Sequence, residues 1–122
     1  MLERLFGPHS INLERAMDRT TQRHGLLAMN LANVNTPHYR RQDVDFGIIL
    51  AEIESGPSFT LARNRLRGGI QQFDGPVRVD GNSVNMEQEV AAMAETELRY
   101  EALADMTRRY FSGLRDVIRE GR

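Results

Sequence analysis

The chain has 122 residues, with 16 basic side chains against 17 acidic ones and a net charge of −1. That length is one domain's worth, and the charge balance excludes the basic surplus that gripping nucleic acid or an anionic membrane requires. The absence of cysteine excludes disulfides, thiolate metal sites and a cysteine nucleophile.

The N-terminal stretch MLERLFGPHS is charged at once and has no apolar h-region, so no Sec signal peptide is expected. No apolar run approaches the roughly 20 residues of a membrane-spanning helix. A first segment, 1–36, is expected to be helical from about Ser10 to Asn35. Leu13, Met17, Thr20, His24, Leu27, Leu31 and Val34 recur at alternating steps of four and three, a heptad seam without a slip. Thr20 and His24 weaken it in the middle. Ser10 can accept from a free N–H of the first turn as N-cap. Pro37 disfavours helix at Thr36 and stops the element.

The middle segment, 37–84, is broken by Gly56-Pro57, Gly68-Gly69 and Gly75-Pro76. It reads as loops with room for a short β-hairpin, and Phe59–Leu61 and Val77–Val79 are its best strand candidates. Arg63, Arg65 and Arg67 alternate as one solvated strand face would. The last segment, 85–122, returns to helix. Met86, Val90, Met93, Glu97, Tyr100, Ala104, Thr107, Phe111, Leu114 and Ile118 keep the steps of four and three, with Glu97 and Thr107 the polar interruptions. Leu98, Leu103, Met106, Tyr110 and Val117 widen the stripe. Asn85 with Gln88 resembles a capping box, after the turn chemistry of Asp80-Gly81-Asn82. At ~1.5 Å per residue this helix is about 50 Å long. The expected fold is mainly α: two long amphipathic helices pairing as a coiled coil around a Gly/Pro-rich middle.

Nothing in the pattern calls for catalysis. His9, His24 and His38 have no metal-ligand spacing. Asp43, Asp45, Glu87 and Glu89 stand beside no nucleophile pattern. No cofactor, metal, nucleic acid or small-molecule substrate is expected, and the chain reads as a non-enzyme. One helix pair cannot cover two wide stripes, so apolar area is left for association. Head-to-tail association that does not close makes a helical filament. Long helices that need partners predict that the termini order only on assembly.

The run Asn30-Leu31-Ala32-Asn33-Val34-Asn35-Thr36-Pro37, followed by Tyr39-Arg40, resembles the signature of the flagellar basal-body rod protein family at the end of its N-terminal helix. Asp80-Gly81-Asn82-Ser83-Val84-Asn85-Met86-Glu87 resembles the element that opens the family's C-terminal helix. His38 stands where the family usually has glycine. Leu61–Arg67 lacks the threonine and histidine of the family's middle element. The resemblance implies a rod subunit that self-associates in a helical assembly, lines the export channel with its terminal helices and transmits torque for motility. It implies export without a cleaved signal peptide to a periplasm-spanning rod in the basal body. Implied partners are other rod proteins, the rod-base adaptor and the export gate. Subunit packing would fall on Leu27, Asn30, Leu31, Asn33, Asn35, Pro37, Tyr39, Met86, Val90, Met93, Tyr100, Phe111, Leu114 and Ile118. Another member of the rod family, or a cytosolic homodimeric coiled-coil adaptor, remains open at this point.

Overall fold

The computed structural model describes residues 2–44, 70–72 and 75–121. Two long helices dominate them, α1 (Leu2–Ala32) and α2 (Met86–Glu120). Between them in sequence lie two short strands, β1 (Gln42–Val44) and β2 (Ile70–Gln72). The strands pair antiparallel, with Gln42 opposite Gln72 and Val44 opposite Ile70. The helices also run antiparallel, since Asn30 meets Glu89 while Met17 meets Thr107. The mainly α architecture with a small β element is the one expected.

Local chemistry sets the ends. α1 is two helical stretches joined at Gly7, whose φ of 71° and ψ of 170° leave the helical region. A side chain rarely adopts that φ, so glycine suits the kink. Pro8 follows, and a proline at the first helical position loses no hydrogen bond. The main stretch therefore starts three residues earlier than expected. Ser10 is inside it, its hydroxyl donating back to the Gly7 carbonyl at 3.0 Å rather than accepting as N-cap. At the other end, the Asn33 N–H is shared between the Met29 and Asn30 carbonyls, both at 3.1 Å, and a turn carries the chain to Pro37. His38 then takes φ 61°. The usual glycine at this place is thereby explained, and histidine is among the side chains that tolerate the left-handed region.

α2 begins as read. Asn85 is extended at φ −105°, and its Oδ1 accepts from Glu87 N–H at 3.0 Å and Gln88 N–H at 3.4 Å. Glu87 and Glu89 in the first turn and Arg119 in the last complement the helix dipole. Val77–Val79 is not a strand. Arg78 N–H donates to the Asn82 carbonyl and Gly81 N–H to the Arg78 carbonyl, which closes a turn. Phe59–Leu61 and Arg63, Arg65 and Arg67 lie outside the described residues.

The helix contact differs from the predicted seam. On α1 the buried residues are Ala16, Thr20, Leu26, Leu27 and Asn30, while His24 is exposed. On α2 they are Glu89 and Thr96. Met86, Val90, Tyr100, Phe111 and Ile118 are exposed within the single chain, Ile118 by 73%. Successive residues on a helix point about 100° apart, so α2 cannot turn both Glu89 and Val90 onto α1. Glu89 is the one turned in. The predicted seam consequently lies along the flank of the contact, where Met93, Ala104, Thr107 and Leu114 are half-buried and its other members are exposed. Small residues fill the contact between Leu27 and Glu89 at one pole and its middle. Thr20 and Thr96 send their hydroxyls to the Ala16 and Ala92 carbonyls, both at 2.7 Å, so neither buries an unmet donor.

Candidate assembly site

The helices are held together at one pole by a buried polar node. Asn30, on the last turns of α1, is fully buried and uses its whole amide. Its Nδ2 donates to the Gln42 carbonyl at 2.7 Å and to Glu89 Oε2 at 3.0 Å. Its Oδ1 accepts from the Gln42 N–H at 3.0 Å and from the Tyr39 hydroxyl at 3.2 Å. One side chain thus grips both backbone groups of Gln42 and sets β1 against the helix pair.

Charge runs through the same place. Arg41 Nε donates to Glu89 Oε1, and Arg41 Nη2 donates to Asp43 Oδ2 at 2.9 Å. Asp43 also accepts from Arg23 Nε of α1 at 3.0 Å. Two guanidiniums and two carboxylates close the circuit from α1 through β1 to α2. Arg41 stands one residue before β1, and alternate residues of extended backbone point to one face, so it and Asp43 can share the circuit. Burial alone would raise the Asp43 carboxyl, but hydrogen bonds and charge from Arg23, the Arg41 bond and the Val44 N–H hold it below the usual carboxylate range. Burial opposes the Arg41 charge, yet its bonds to Glu89 and Asp43 push the guanidinium further up. Burial, then the Glu89 charge, pushes the Tyr39 hydroxyl up.

A second clamp closes the end of α1. Asn82 is fully buried, and its Nδ2 donates to the carbonyls of Asn33, Val34 and Thr36 at 2.9, 3.1 and 2.8 Å. Helix C-termini leave carbonyls unpaired, and here an amide from the strand-to-helix connection takes them. The two signature runs are therefore halves of one structure. His38 N–H donates to the Asp80 carbonyl at 3.0 Å and Ser83 N–H to the Tyr39 carbonyl at 3.1 Å. Gly81, at φ 81°, lies under the His38 ring, where an added Cβ would sit 2.5 Å from Nδ1.

The residues expected in subunit packing divide accordingly. Leu27 and Asn30 are fully buried within the chain, so their packing is intramolecular. Leu31, Asn33, Tyr39, Met93 and Leu114 are half-buried, and Asn35, Pro37, Met86, Val90, Tyr100, Phe111 and Ile118 are exposed. Asn33 turns its amide back onto the Met29 carbonyl at 2.8 Å. Arg23, Arg41 and Glu89 carry the node without having been singled out as structural, whereas Asn82 of the clamp lies in the Asp80-Gly81-Asn82 turn read from the sequence. The sequence signal for the node was the Arg41-x-Asp43 alternation. Among the described residues, no group of three or more histidines and carboxylates could hold a metal ion.

Comparison with known proteins names the architecture. The flagellar basal body rod protein FlgB of Cereibacter sphaeroides is 37% identical over 106 residues, covering 80% of this chain and 83% of the relative. This chain belongs to the FlgB family. FlgB of Yersinia ruckeri is 28% identical over 138 residues, covering 99% of the chain and all of the relative. FlgB of Bacillus subtilis is 24% identical over 128 residues, covering 97% of the chain and 98% of the relative. No family model matches the chain. The FlgB names decide between the rod proteins that share the N-terminal signature. Of the signature asparagines, Asn30 holds β1 and α2, and Asn33 offers one of the three carbonyls that Asn82 takes at the end of α1.

Proposed function

We infer that the chain is a structural subunit of the proximal part of the flagellar rod, polymerising through the flank of its terminal helices. The observation that carries this reading is the exposed apolar seam of α2. Met86, Val90, Tyr100, Phe111 and Ile118 follow one heptad stripe, and α1 does not cover them. Apolar stripes of that length mark association surfaces, and the FlgB relatives are rod proteins by name. The work of such a subunit is stiffness, which comes from interdigitated helix contacts and needs no reactive group. In this reading the terminal helices form the layer around the export channel and pass torque along the rod. The neighbours are other rod proteins, the rod-base adaptor and the export gate, and the chain reaches the periplasm without a cleaved signal.

Deleting the gene tests this. Cells without it are expected to lose swimming and to keep a membrane ring with no rod above it in electron micrographs of basal bodies. Full swimming and intact rods would overturn the reading.

A further inference from the structure

The polar interruptions of the two seams meet at one level of the helix pair. His24 of α1 and Glu97 of α2, with Thr20, Thr21, Thr96 and Tyr100, line a notch of about 300 Å³. The three threonine hydroxyls donate to carbonyls four residues back on their own helices, at 2.7, 3.0 and 2.7 Å. Thr20 and Thr96 are buried in the helix contact, and the exposed Thr21 leaves its oxygen as an acceptor. Glu97 adds a carboxylate and Tyr100 an aromatic ring. A carboxylate and a ring side by side suit a guanidinium, which forks onto a carboxylate and lies flat on an aromatic face.

The chain's cations are all arginines, since it contains no lysine. One of them is placed to answer Glu97. Arg108 follows Glu97 by 11 residues, about three helical turns, so both lie on the same stripe of α2 as Val90. Its side chain is 80% exposed and, among the described residues, its ion pair is with Asp105 at 3.8 Å. Along this stripe the order is apolar at Met86 and Val90, acidic at Glu97, apolar at Tyr100 and Ala104, basic at Arg108, and apolar at Phe111. Such a pattern complements itself. Two parallel α2 helices staggered by three turns bring Glu97 of one to Arg108 of the other. An unmatched Glu97 would be desolvated there without a partner, which costs more than any apolar gain at that level.

We propose that the Glu97 notch takes Arg108 of a second copy of this chain, and that this pair sets the register in which copies pack along α2. The proposal rests on the rod reading above. Its test is charge reversal in cells lacking the gene and supplied with the full chain. Failure of the wild-type chain to restore swimming would sink the rod reading itself. Given that restoration, Glu97→Arg and Arg108→Glu are each expected to slow swimming-ring growth about tenfold, and the double reversal to regain at least half of it. Singles that swim like wild type, or a double no better than either single, would overturn the pairing. So would rescue of Glu97→Arg by a change in a different rod protein, which would name that protein as the occupant. If circular dichroism shows a reversal variant to be less helical, Glu97→Gln and Arg108→Gln take its place. Their effects should not add in the double variant; additive slowing contradicts the pair.

Discussion

The two faces of α2 are inverted relative to an ordinary helix. The face turned to α1 buries Glu89 and Thr96, while the flank turned away displays Met86, Val90, Phe111 and Ile118. A monomer that lived alone would place these the other way round. The inward polar groups are all matched, with no unsatisfied buried side-chain atom among the described residues. The difference teaches a division of labour. Buried hydrogen bonds and charge pairs fix how α1, β1 and α2 sit, which apolar contacts alone specify poorly along a seven-residue repeat. The apolar area is kept outside, for contacts that the single chain cannot make. Changes at the node should therefore damage the fold, and changes on the flank should spare it.

The largest effect is expected from Glu89→Ala. It removes one of the two carboxylates that Arg41 bonds, leaving Asp43, and leaves the Asn30 amide short of an acceptor, a loss of about 3 kcal/mol. Urea denaturation followed at the helical circular dichroism band measures it. Asn30→Leu should cost about 1–3 kcal/mol by the same method, because both backbone groups of Gln42 lose their partner. Combined with Glu89→Ala it should add less than its own value, since the two share a bond. Gly81→Ala should cost about 1–2 kcal/mol, from the left-handed backbone and the His38 ring above it. Acid gives a smaller and graded effect. The Asp43 carboxyl is held below its unfolded value, so its contribution is complete above the ordinary carboxylate range near 4. That contribution disappears as pH falls through the lowered folded value. Asp43→Asn should flatten the acid limb of a stability–pH curve; an unchanged limb would remove Asp43 from the node's energetics. The smallest effect sharpens the comparison from the other side. Val90→Ser with Ile118→Ser should change the stability of the isolated chain by less than about 0.5 kcal/mol while impairing swimming. Equal damage to both would mean that the two faces are not separate in role.

Much of this was legible in the residues. The heptad spacing placed both helices, Asn85 placed the start of α2, and Pro37 placed the end of α1 within a few residues. The run from Asn30 to Pro37 carried the family. The node was not legible, for a physical reason. Asn30 and Glu89 are 59 positions apart, and a lone buried carboxylate looks like any surface glutamate until its arginine is brought to it. The same blindness misplaced the seam. Apolar periodicity reports which stripe is greasy and does not say whether this chain or a neighbour covers it. Ser10 was misread because Gly7-Pro8 already supplied a kink and a helix start, and the hydroxyl found a carbonyl instead of an N–H.

The central claim is that the flank of α2 is where subunits meet and the node is not. The chain's lack of cysteine makes a direct measurement available. Single cysteines at Val90, Phe111 and, as the inward control, the buried Ala16 would be introduced into the full chain, and intact basal bodies treated with a short thiol cross-linker. Cross-linked subunits from Val90→Cys and Phe111→Cys, with none from Ala16→Cys, are the expected result. Cross-linking from Ala16→Cys at the level of the other two, or none from either flank position, would contradict the account.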